Sequence, residues 1–590
     1  MIKYNWKIKK VDSQKVQNLT IEDSFGKGQN IPPAIATVLI NRGLDNPAVI
    51  NKFFNSSIDD LYNPFLMLDM DKTVDRLKQA ILNKEKIAIL GDYDVDGTTA
   101  TAFLYLFLRE IGLQTTYHIP DRIKEGYGVS NHGIDFAIKS GASLIITCDC
   151  GINSVNEVEY ANKNGIDIIV TDHHEPLEEL PNALAILDPK RKDDTYPFKE
   201  LCGIGVALKM LQGLSIANNI PLEKIHHLLD LVAIGTAADI VPILNENRII
   251  VSEGLKVLNK SKNIGLQSLM KVSGFKNKTI NVVNIVFGLA PRINAAGRLG
   301  EATRAVRLLT SSNYKEASEL SNFLEQENRN RQNIEKATID DAILQLNATH
   351  DLDNDKILIL DSPNWHQGVI GIVASKLKEI YNRPVVMLTF QTPDHTIRPD
   401  GSYYLNGIGK GSARSIPGFD IFSAFSECSN SLLNYGGHKM AAGLTIEKES
   451  LPQFKECLKK IASRQISDDM LNQVLNIECE ISFTDINQNA INLLRKMAPF
   501  GPGNMRPLFV ARNIKISGIP RIVGENHLKF KAFQDKTVIS AIGWKLGELY
   551  EMLISNRLLD MVFVIEENEW NGLKEIQLNV KDIHYSDARS

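Results

Sequence analysis

The feature that most constrains the fold of this chain is a short acidic turn between two apolar stretches. Within the turn from Gly91 to Gly97, Asp92, Asp94 and Asp96 occupy alternate positions. The apolar run before the turn predicts a buried strand, and the apolar stretch after it predicts a helix. The three carboxylates are therefore expected at the carboxyl end of a strand.

Carboxylates crowded on one turn repel one another, and they stay ionised at neutral pH only where a cation neutralises them. Oxygen ligands of this kind suit Mg²⁺ or Mn²⁺. A second interpretation is purely structural, because Asp96, Gly97 and Thr98 also fit the N-terminal cap of a helix. The heptad alone leaves both interpretations open.

Bulk composition describes a large globular protein without an overall basic character. Its 590 residues suggest about three to five domains. The formal charge is −4, from 66 Lys and Arg against 70 Asp and Glu. Any contact with nucleic acid therefore has to use a local basic groove.

Cysteines are too few and too scattered for a disulfide framework in so long a chain, and Cys148-Asp149-Cys150 has no second pair with which to bind zinc. The amino terminus lacks the apolar core of a signal peptide, and no stretch of 18 apolar residues occurs. These features predict a reduced, cytoplasmic protein with no membrane partner.

Short β-rich runs, most of them separated by segments of helical length, predict a doubly wound parallel sheet. The runs are Lys86–Leu90, Thr115–Ile119, Ser143–Thr147, Asp167–Thr171 and Ala183–Leu187. Strand ends in such a sheet converge on one edge, and ligands bind outside that edge.

Acids and a histidine recur where these strands end. Asp149 follows one run, His173 follows the next, and Asp239 stands further on beside small residues. Together with Asp94 and Asp96 they are predicted to meet at one edge of the sheet. One acid at a strand end is commonly a turn former, but the repetition favours a metal site over coincidence.

These motifs resemble those of a known superfamily. Asp92–Gly97, Asp149–Gly151, Asp172–His174 and Asp239 look like the four motifs of the DHH phosphoesterase superfamily, and their neighbourhoods are most similar to the RecJ single-strand-specific exonucleases. Pro291–Leu299 resembles the loop that follows the DHH domain in that family. Further segments resemble its partner domain, DHHA1: Trp365–Ala374, Gly411–Ser415 and Gly436–Gly443.

The resemblance implies an α/β fold: a DHH parallel-sheet domain joined by a long helix to a smaller α/β DHHA1 domain, plus a C-terminal β-barrel of the OB type. We expect an N-terminal cap at 1–65, the DHH domain at 66–312, the connecting helix at 313–350, the DHHA1 domain at 351–464 and the OB domain at 465–590. The stretch from Asn313 to Leu346 lacks Gly and Pro and would reach about 50 Å as one helix. Two shorter helices of a bundle are the alternative.

The same resemblance implies two divalent cations, Mn²⁺ or Mg²⁺. Asp94 would serve the first cation, Asp149 would bridge, and the second would take Asp96, His173 and Asp239. Asp92 and His174 lie in the same motifs as outer ligands or as residues that orient the ligands. The residues alone do not rank His173 against His174.

Positions that hold the nucleic-acid backbone or its 5′ phosphate in the RecJ family are matched here by Arg122, Arg298, Ser412 and Arg414, and His438 is a further candidate. The glycine-rich segment Gly407–Arg414 also suits a phosphate, although turns have similar sequences.

Alternating residues predict strands in the C-terminal domain. Between His527 and Phe533, buried-type residues alternate with Lys529, Lys531 and Phe533, and a later alternation follows the hairpin signal Asn571-Gly572. An OB-type barrel binds a single strand by stacking bases on aromatic rings while cations follow the phosphates. The alternative is a barrel that buttresses the small lobe or docks a protein.

The functional expectation is a metal-dependent 5′→3′ exonuclease that degrades single-stranded DNA to mononucleotides in DNA repair and recombination. Partners would be a single strand with a 5′ end and a single-strand-binding protein or a helicase. Two alternatives remain: a DHH phosphodiesterase acting on short RNA or a cyclic dinucleotide, and a non-catalytic DNA-binding scaffold. The scaffold predicts lost metal ligands, whereas every motif acid is present.

Overall fold

The computed structural model describes residues 4–21, 31–121, 125–299, 302–352, 354–390, 407–570 and 573–586. The chain divides into two compact units. The first comprises Met1–Asn5, Pro291–Glu301 and Glu319–Gln473; the second comprises Trp6–Ala290, Ala302–Ser318 and Val474–Ser590. The parallel sheet and the C-terminal barrel both belong to the second unit.

A five-stranded parallel sheet follows a short N-terminal segment. The N-terminal elements are β1 (Asn5–Ile8), α1 (Ser13–Ile21), α2 (Pro33–Asn41), α3 (Pro47–Asn55) and α4 (Met70–Leu82). The sheet and its intervening helices are β2 (Lys86–Gly91), α5 (Val95–Glu110), β3 (Gln114–His118), α6 (Asn131–Lys139), β4 (Leu144–Cys148), α7 (Val155–Lys163), β5 (Asp167–Thr171) and β6 (Ala185–Leu187). The strand order is β3-β2-β4-β5-β6 with every pairing parallel, which confirms the doubly wound prediction.

Helices follow the sheet in the chain. They are α8 (Gly203–Ala217), α9 (Glu223–His226), α10 (Leu229–Ala238), α11 (Asn245–Leu258), α12 (Ile264–Val272), α13 (Val282–Asn284), α14 (Ala290–Leu299) and α15 (Thr303–Thr310). Helices α8 and α10 pack on α5, the helix that begins directly after the acidic turn. Strands β2, β4 and β5 are buried along nearly their whole length, which is why their sequences are apolar runs rather than alternating patterns.

Helix α16 (Tyr314–Thr349) is continuous over 36 residues, or about 54 Å. One long helix, rather than two shorter ones, is therefore the correct interpretation of this stretch. The rest of the first unit is β7 (Leu358–Ser362), α17 (Gln367–Tyr381), β8 (Val385–Thr389), β9 (Ile408–Arg414), α18 (Ile421–Glu427), β10 (Asn434–His438), β11 (Ala441–Glu447) and α19 (Leu451–Gln465). Its sheet has the order β10-β11-β9-β8-β7, in which β7 and β8 are parallel.

The C-terminal part is a closed barrel, as predicted. Its elements are β12 (Val474–Ile477), β13 (Cys479–Glu480), α20 (Gln488–Lys496), β14 (Phe509–Val523), β15 (His527–Gln534), β16 (Thr537–Gly543), α21 (Tyr550–Ile554), β17 (Leu559–Trp570) and β18 (Leu573–Tyr585). The sheet closes because β14 pairs with both β15 and β17. Strands β17 and β18 form a hairpin whose last pair is Trp570 and Leu573; the predicted turn Asn571-Gly572 lies outside the described residues.

N-terminal helices and the barrel share one hydrophobic core. Leu19 of α1 and Ile35 and Leu39 of α2 are buried in the same cluster as Phe509 and Phe563 of the barrel. The beginning and the end of the chain therefore stabilise each other.

Several local expectations differ from the structure. The glycine-rich segment is not a phosphate-binding loop, because Ile408–Arg414 is strand β9 and its backbone groups pair with β8 and β11. Pro291–Leu299 lies within α14 and is not a loop. Cys428 and Cys457 are joined by a disulfide, so the expectation of reduced cysteines fails for this pair. Among the described residues, no helix combines the length and the apolar character that crossing a membrane requires.

A fully buried ion pair fixes α8 against α11. Lys209 Nζ lies 2.8 Å from Glu246 Oε1, and neither side chain is exposed. The Tyr196 hydroxyl donates to Glu246 Oε2 at 2.7 Å, and Lys209 donates to the Tyr62 carbonyl at 2.6 Å. Burial lowers the pKa of Lys209, and the carboxylate of Glu246 opposes that shift. Both charges are thus satisfied by several partners.

Removing one member of this pair should destabilise the fold strongly, because an uncompensated buried charge remains. We expect Lys209→Met to lower the free energy of unfolding by about 3–5 kcal/mol, measured by urea unfolding. The control is Lys460→Ala, which removes an exposed pair with Glu456 and should leave the unfolding midpoint unchanged. Equal effects of the two variants would contradict the prediction.

Candidate metal centre

The acidic residues meet at the carboxyl edge of the parallel sheet. Asp92 follows β2, Asp149 follows β4 and His173 comes shortly after β5. Strand β2 lies between β3 and β4, so the chain leaves it on one side and later returns on the other. Such a switch point is where open α/β sheets bind ligands. Asp239 reaches the same place from the end of α10, not from a strand.

Asp94 and Asp96 have different structural roles. The Asp94 carboxylate caps α5 by accepting a hydrogen bond from Gly97 N at 3.1 Å, so the cap that the sequence suggested at Asp96 is made two residues earlier. Asp96 is buried and accepts hydrogen bonds from Gly203 N at 2.6 Å and Ile204 N at 2.9 Å. The first turn of α8 therefore holds this carboxylate with N–H groups that have no carbonyl partner inside the helix.

Asp149 is held in an uncommon backbone conformation. Its φ is +61°, a region that side-chain-bearing residues seldom adopt, and its N–H donates to the Thr171 carbonyl at 3.0 Å. Gly203 provides the space for its side chain, since a Cβ at that position would lie 2.8 Å from Asp149 Oδ1. The start of α8 thus closes on both Asp96 and Asp149.

His173 lies at the centre of the acidic cluster. Its Nε2 is 3.0 Å from Asp149 Oδ1, 3.7 Å from Asp239 Oδ2 and 4.0 Å from Asp96 Oδ2. Among the groups of potential ligand atoms that lie within 4.8 Å of one another, two are Asp92, Asp94 and Asp149, and Asp96, His173 and Asp239. Asp149 also falls within a group containing His173 and His174, so it lies beside both sets.

Electrostatics oppose this arrangement in the absence of a cation. Burial, and then repulsion from neighbouring acids, raises the pKa of Asp96 to about 7 and that of Asp239 to about 9. The same causes raise the pKa of Asp149 well above its ordinary value. Burial lowers the pKa of His173 to about 3, so its imidazole is neutral and available as a ligand.

Unsatisfied atoms show that these residues fit a metal. Asp149 Oδ1, Asp239 Oδ2 and His173 Nε2 are buried and have no hydrogen-bond partner among the described residues. Buried polar atoms without partners cost free energy, and a divalent cation between them would remove that cost. Carboxylate oxygens with one imidazole are suitable ligands for Mn²⁺ or Mg²⁺.

His174 belongs to a separate hydrogen-bonded chain that the sequence did not predict. Its Nδ1 lies 2.7 Å from Asp172 Oδ1, and the Tyr127 hydroxyl lies 3.2 Å from its Nε2 and 3.3 Å from the Asp149 carbonyl oxygen. Asp172 also accepts a hydrogen bond from Ile152 N at 2.9 Å. The signal that could have identified Tyr127 is its place in the segment Pro120–Gly128, which also contains Arg122.

A brace beside Tyr127 orders the segment that carries it. Glu125 accepts hydrogen bonds from Asp121 N at 3.0 Å and Ser130 Oγ at 2.7 Å, and His118 Nε2 lies 3.0 Å from its carboxylate. Burial opposes ionisation of Glu125, but these hydrogen bonds lower its pKa to about 2. Arg122, a predicted DNA contact in the same segment, lies outside the described residues.

A polar row crosses the sheet of the first unit. Arg414 donates hydrogen bonds to Ser412 Oγ and Ser375 Oγ, both at 3.1 Å. Gly371 of α17 allows this approach, since a Cβ there would lie 3.0 Å from Ser412 Oγ. In the strand register, Arg414 pairs with Ala441 and Ala441 pairs with the exposed His438. The side chain of Arg298 lies outside the described residues.

One face of the barrel is cationic. Lys529 and Lys531 of β15 are exposed and Phe533 is half-buried, whereas the residues between them are buried, as predicted. In β14 and β16, Lys529 pairs with Arg521 and Ile542, and Lys531 pairs with Ser517 and Ser540. Phe533 pairs with Lys515 and Val538. None of these paired positions, all of them described, carries an acid. We refer to Lys515, Arg521, Lys529, Lys531 and Phe533 as the barrel face.

Protein-family models match three segments of the chain. The DHH family N-terminal domain matches residues 86–236, the DHHA1 domain matches residues 354–464 and the RecJ OB domain matches residues 477–582. The first segment contains Asp92, Asp94, Asp96, Asp149 and His173 and ends just before Asp239. The second contains the row at Arg414, and the third contains most of the barrel.

Similarity to known proteins extends over nearly the whole chain. The single-stranded-DNA-specific exonuclease RecJ of Bacillus subtilis is 38% identical over 586 residues, covering 99% of this chain and 71% of that protein. The Escherichia coli protein of the same name is 32% identical, covering 95% of this chain and 94% of that protein. The crystal structure of Thermus thermophilus RecJ in complex with Mn²⁺ has a TM-score of 0.81 at 27% identity, covering 99% of this chain and 80% of that one. By this similarity, the chain belongs to the RecJ family of single-stranded-DNA-specific exonucleases.

Proposed function

We propose that this protein is a metal-dependent exonuclease that degrades single-stranded DNA to mononucleotides in the 5′→3′ direction, in DNA repair and recombination. The observation that carries the proposal is the pair of ligand groups beside Asp149, with buried atoms that lack partners among the described residues. Relatives named single-stranded-DNA-specific exonucleases support the substrate.

Each ligand group would hold one divalent cation, Mn²⁺ or Mg²⁺. We assign Asp94, with Asp92, to the first cation and Asp149 as the shared ligand; the second takes Asp96, His173 and Asp239. Two such cations, when bound, activate a water and stabilise the entering and leaving oxygens of a phosphodiester displacement. The N–H groups of α8 keep Asp96 in place. Tyr127 and Asp172 orient His174 beside the reacting phosphate, as a neighbour of the ligands rather than one of them.

In this proposal, residues of the first unit recognise the 5′ end of the DNA strand. Ser412 and Arg414 offer a hydroxyl and a guanidinium that suit a 5′ phosphate, with His438 in the same cross-strand row. Arg298 and Arg122 stay predictions as further phosphate contacts. Gripping one end of the strand would fix the direction of digestion.

The alternative functions make different demands. A DHH phosphodiesterase acting on short RNA or a cyclic dinucleotide has no use for a cationic barrel face, so turnover on a dinucleotide and on a long strand distinguishes it. A non-catalytic scaffold has no use for unsatisfied buried carboxylates, and metal-dependent hydrolysis would exclude it. The predicted domain boundaries stay a proposal. We also propose a cytoplasmic location and a single-strand-binding protein or a helicase as partners, testable by co-purification.

Asp149→Ala tests the shared ligand. The variant should lose more than about 100-fold in turnover, because both ligand groups lose an oxygen. Its metal-free stability should be unchanged or higher, since one repelling carboxylate is gone. Hydrolysis of a labelled strand and thermal unfolding with and without Mn²⁺ measure both effects. Asp75→Ala, which removes an exposed acid, is the control. Near-native turnover of Asp149→Ala at saturating Mn²⁺ would show that the assignment is wrong.

Arg414→Ala tests recognition of the 5′ end. We expect KM to rise about tenfold or more on 5′-phosphorylated strands, with little change on 5′-hydroxyl strands and none in Mn²⁺ affinity. Arg464→Ala removes an exposed arginine of the same unit and should behave as wild type. If the wild-type enzyme digests circular and linear single strands equally, recognition of an end is refuted.

Replacing Lys515, Lys529 and Lys531 by Ala tests the barrel face. Each lost phosphate contact should reduce the slope of log affinity against log salt by roughly 0.7, so a total reduction of about 2 is expected for a long single strand. Hydrolysis of short oligonucleotides should change least. The control replaces Lys271, Lys276 and Lys278, which are exposed elsewhere.

An unchanged slope of log affinity against log salt would show that the barrel face does not contact the phosphates. The barrel would then support the small lobe or dock a protein. Deleting residues 466–590 is a less specific test than substitution, because the barrel shares its core with the N-terminal helices.

A further inference from the structure

The turn that carries Asp239 is strained. Helix α10 ends at Ala238 and is capped by Asp239, and the next residue, Ile240, has a φ of +65°. Glycine usually occupies this position after a helix, because a side chain there clashes with the backbone, and a β-branched residue is an outlier. Ile240 is also 68% exposed, so burial of its own side chain does not compensate for the strain.

Strained backbone persists only where surrounding contacts impose it. Such contacts begin at Ile243, which is 1% exposed and donates its N–H to the Pro502 carbonyl at 2.7 Å. Pro502 belongs to the C-terminal module, in the segment between α20 and β14. The segment between α20 and β14 therefore contacts the chain four residues after Asp239, which belongs to the metal centre.

The contact is close because glycines form it. A Cβ on Gly501 would lie 2.5 Å from Ile243 Cγ1, and a Cβ on Gly503 would lie 3.0 Å from the Leu244 side chain. Gly503 also has a φ of +72°. A Cβ on Gly501 would therefore force the Ile243 side chain to move, and a Cβ on Gly503 would press on the Leu244 side chain.

Further hydrogen bonds make this turn rigid and tie it to α11. Gly501 and Asn504 bond to each other through their backbones, and the buried Asn504 amide donates to the Met497 and Pro499 carbonyls at 2.9 Å and 2.8 Å. Arg248 of α11 donates to the Lys496 and Ala498 carbonyls at 3.1 Å and 3.0 Å. The segment from Ile240 to Leu244 is thus held by the Gly501–Asn504 turn that packs on it and by helix α11 that follows it.

We propose that the Gly501–Asn504 turn is a positioning element of the metal centre: it holds the strained turn at Ile240 and thereby places the Asp239 carboxylate. The inference rests on the proposed function, because it assigns Asp239 to the second cation. The C-terminal module then has a role in metal binding that is separate from any role of the barrel face in holding DNA.

Gly501→Ala in the full-length chain tests the proposal without relying on activity. The added methyl must displace Ile243, so one of the two cations should bind about 10–100-fold more weakly while the other is retained. Mn²⁺ titration of the DNA-free protein, followed by the electron paramagnetic resonance signal of free Mn²⁺, measures this. Adding Ile243→Ala to Gly501→Ala should bring the affinity closer to wild type than either single variant.

Gly547→Ala is the matched control. It creates a comparable clash in the barrel, since its Cβ would overlap Asn526 Oδ1, but it does not touch the segment after Asp239. This variant should lower the thermal midpoint and leave Mn²⁺ affinity unchanged. If Gly501→Ala does not fold, Arg248→Lys, which loses the paired carbonyl contacts, should weaken the same cation by a smaller factor.

Two results would overturn the proposal: wild-type Mn²⁺ affinity in both Gly501→Ala and Arg248→Lys, or an equal loss of affinity in Gly547→Ala. These outcomes are distinguishable from failure of the proposed function. If the proposed function itself were wrong, Asp149→Ala would keep its turnover and its Mn²⁺ binding, whatever residue occupies position 501.

Discussion

Mutual repulsion between buried carboxylates is the constraint on which the rest of this protein depends. Asp96, Asp149 and Asp239 are brought within reach of one imidazole, and burial, followed by repulsion from neighbouring acids, raises the pKa of each. The fold opposes their separation with rigid parts: two buried strands, the first turn of α8 and the end of α10. The positive charge of Lys190 near Asp239 and of His174 near Asp96 offsets only part of the upward shift in the pKa of these acids, and a divalent cation would supply more.

The same unit contains a contrasting way of burying charge. Lys209 and Glu246 neutralise each other and have further hydrogen-bond partners, so neither charge is buried without compensation. At the metal centre, in contrast, Asp149 Oδ1 and Asp239 Oδ2 have no hydrogen-bond partner among the described residues. Both arrangements involve α8, because its body carries Lys209 and its first turn holds Asp96.

In the proposed function, hydrolysis and strand binding use different parts of the chain. The acidic cluster belongs to the parallel-sheet module, the polar row at Arg414 to the first unit, and the barrel face to the C-terminal module. A phosphodiester displacement needs ligands fixed within fractions of an ångström, whereas a single strand needs many weak contacts spread along its length. In the structure, contacts at Ile243 and Arg248 connect the barrel module to the segment after Asp239.

The sequence by itself determined the parallel sheet, the β-rich C-terminal domain and the meeting of the acids at one edge, because chain order fixes which ends of parallel strands converge. It left the stretch from Asn313 to Leu346 open between one helix and two, and the structure decides for the single helix α16. It did not determine that Gly407–Arg414 is a paired strand, that Asp94 rather than Asp96 makes the helix cap, or that Tyr127 reaches His174. Nor did it indicate that the turn at Gly501 contacts Ile243. Local patterns encode elements and their order, but such contacts join residues far apart in the chain, and only the packing of the folded protein decides them.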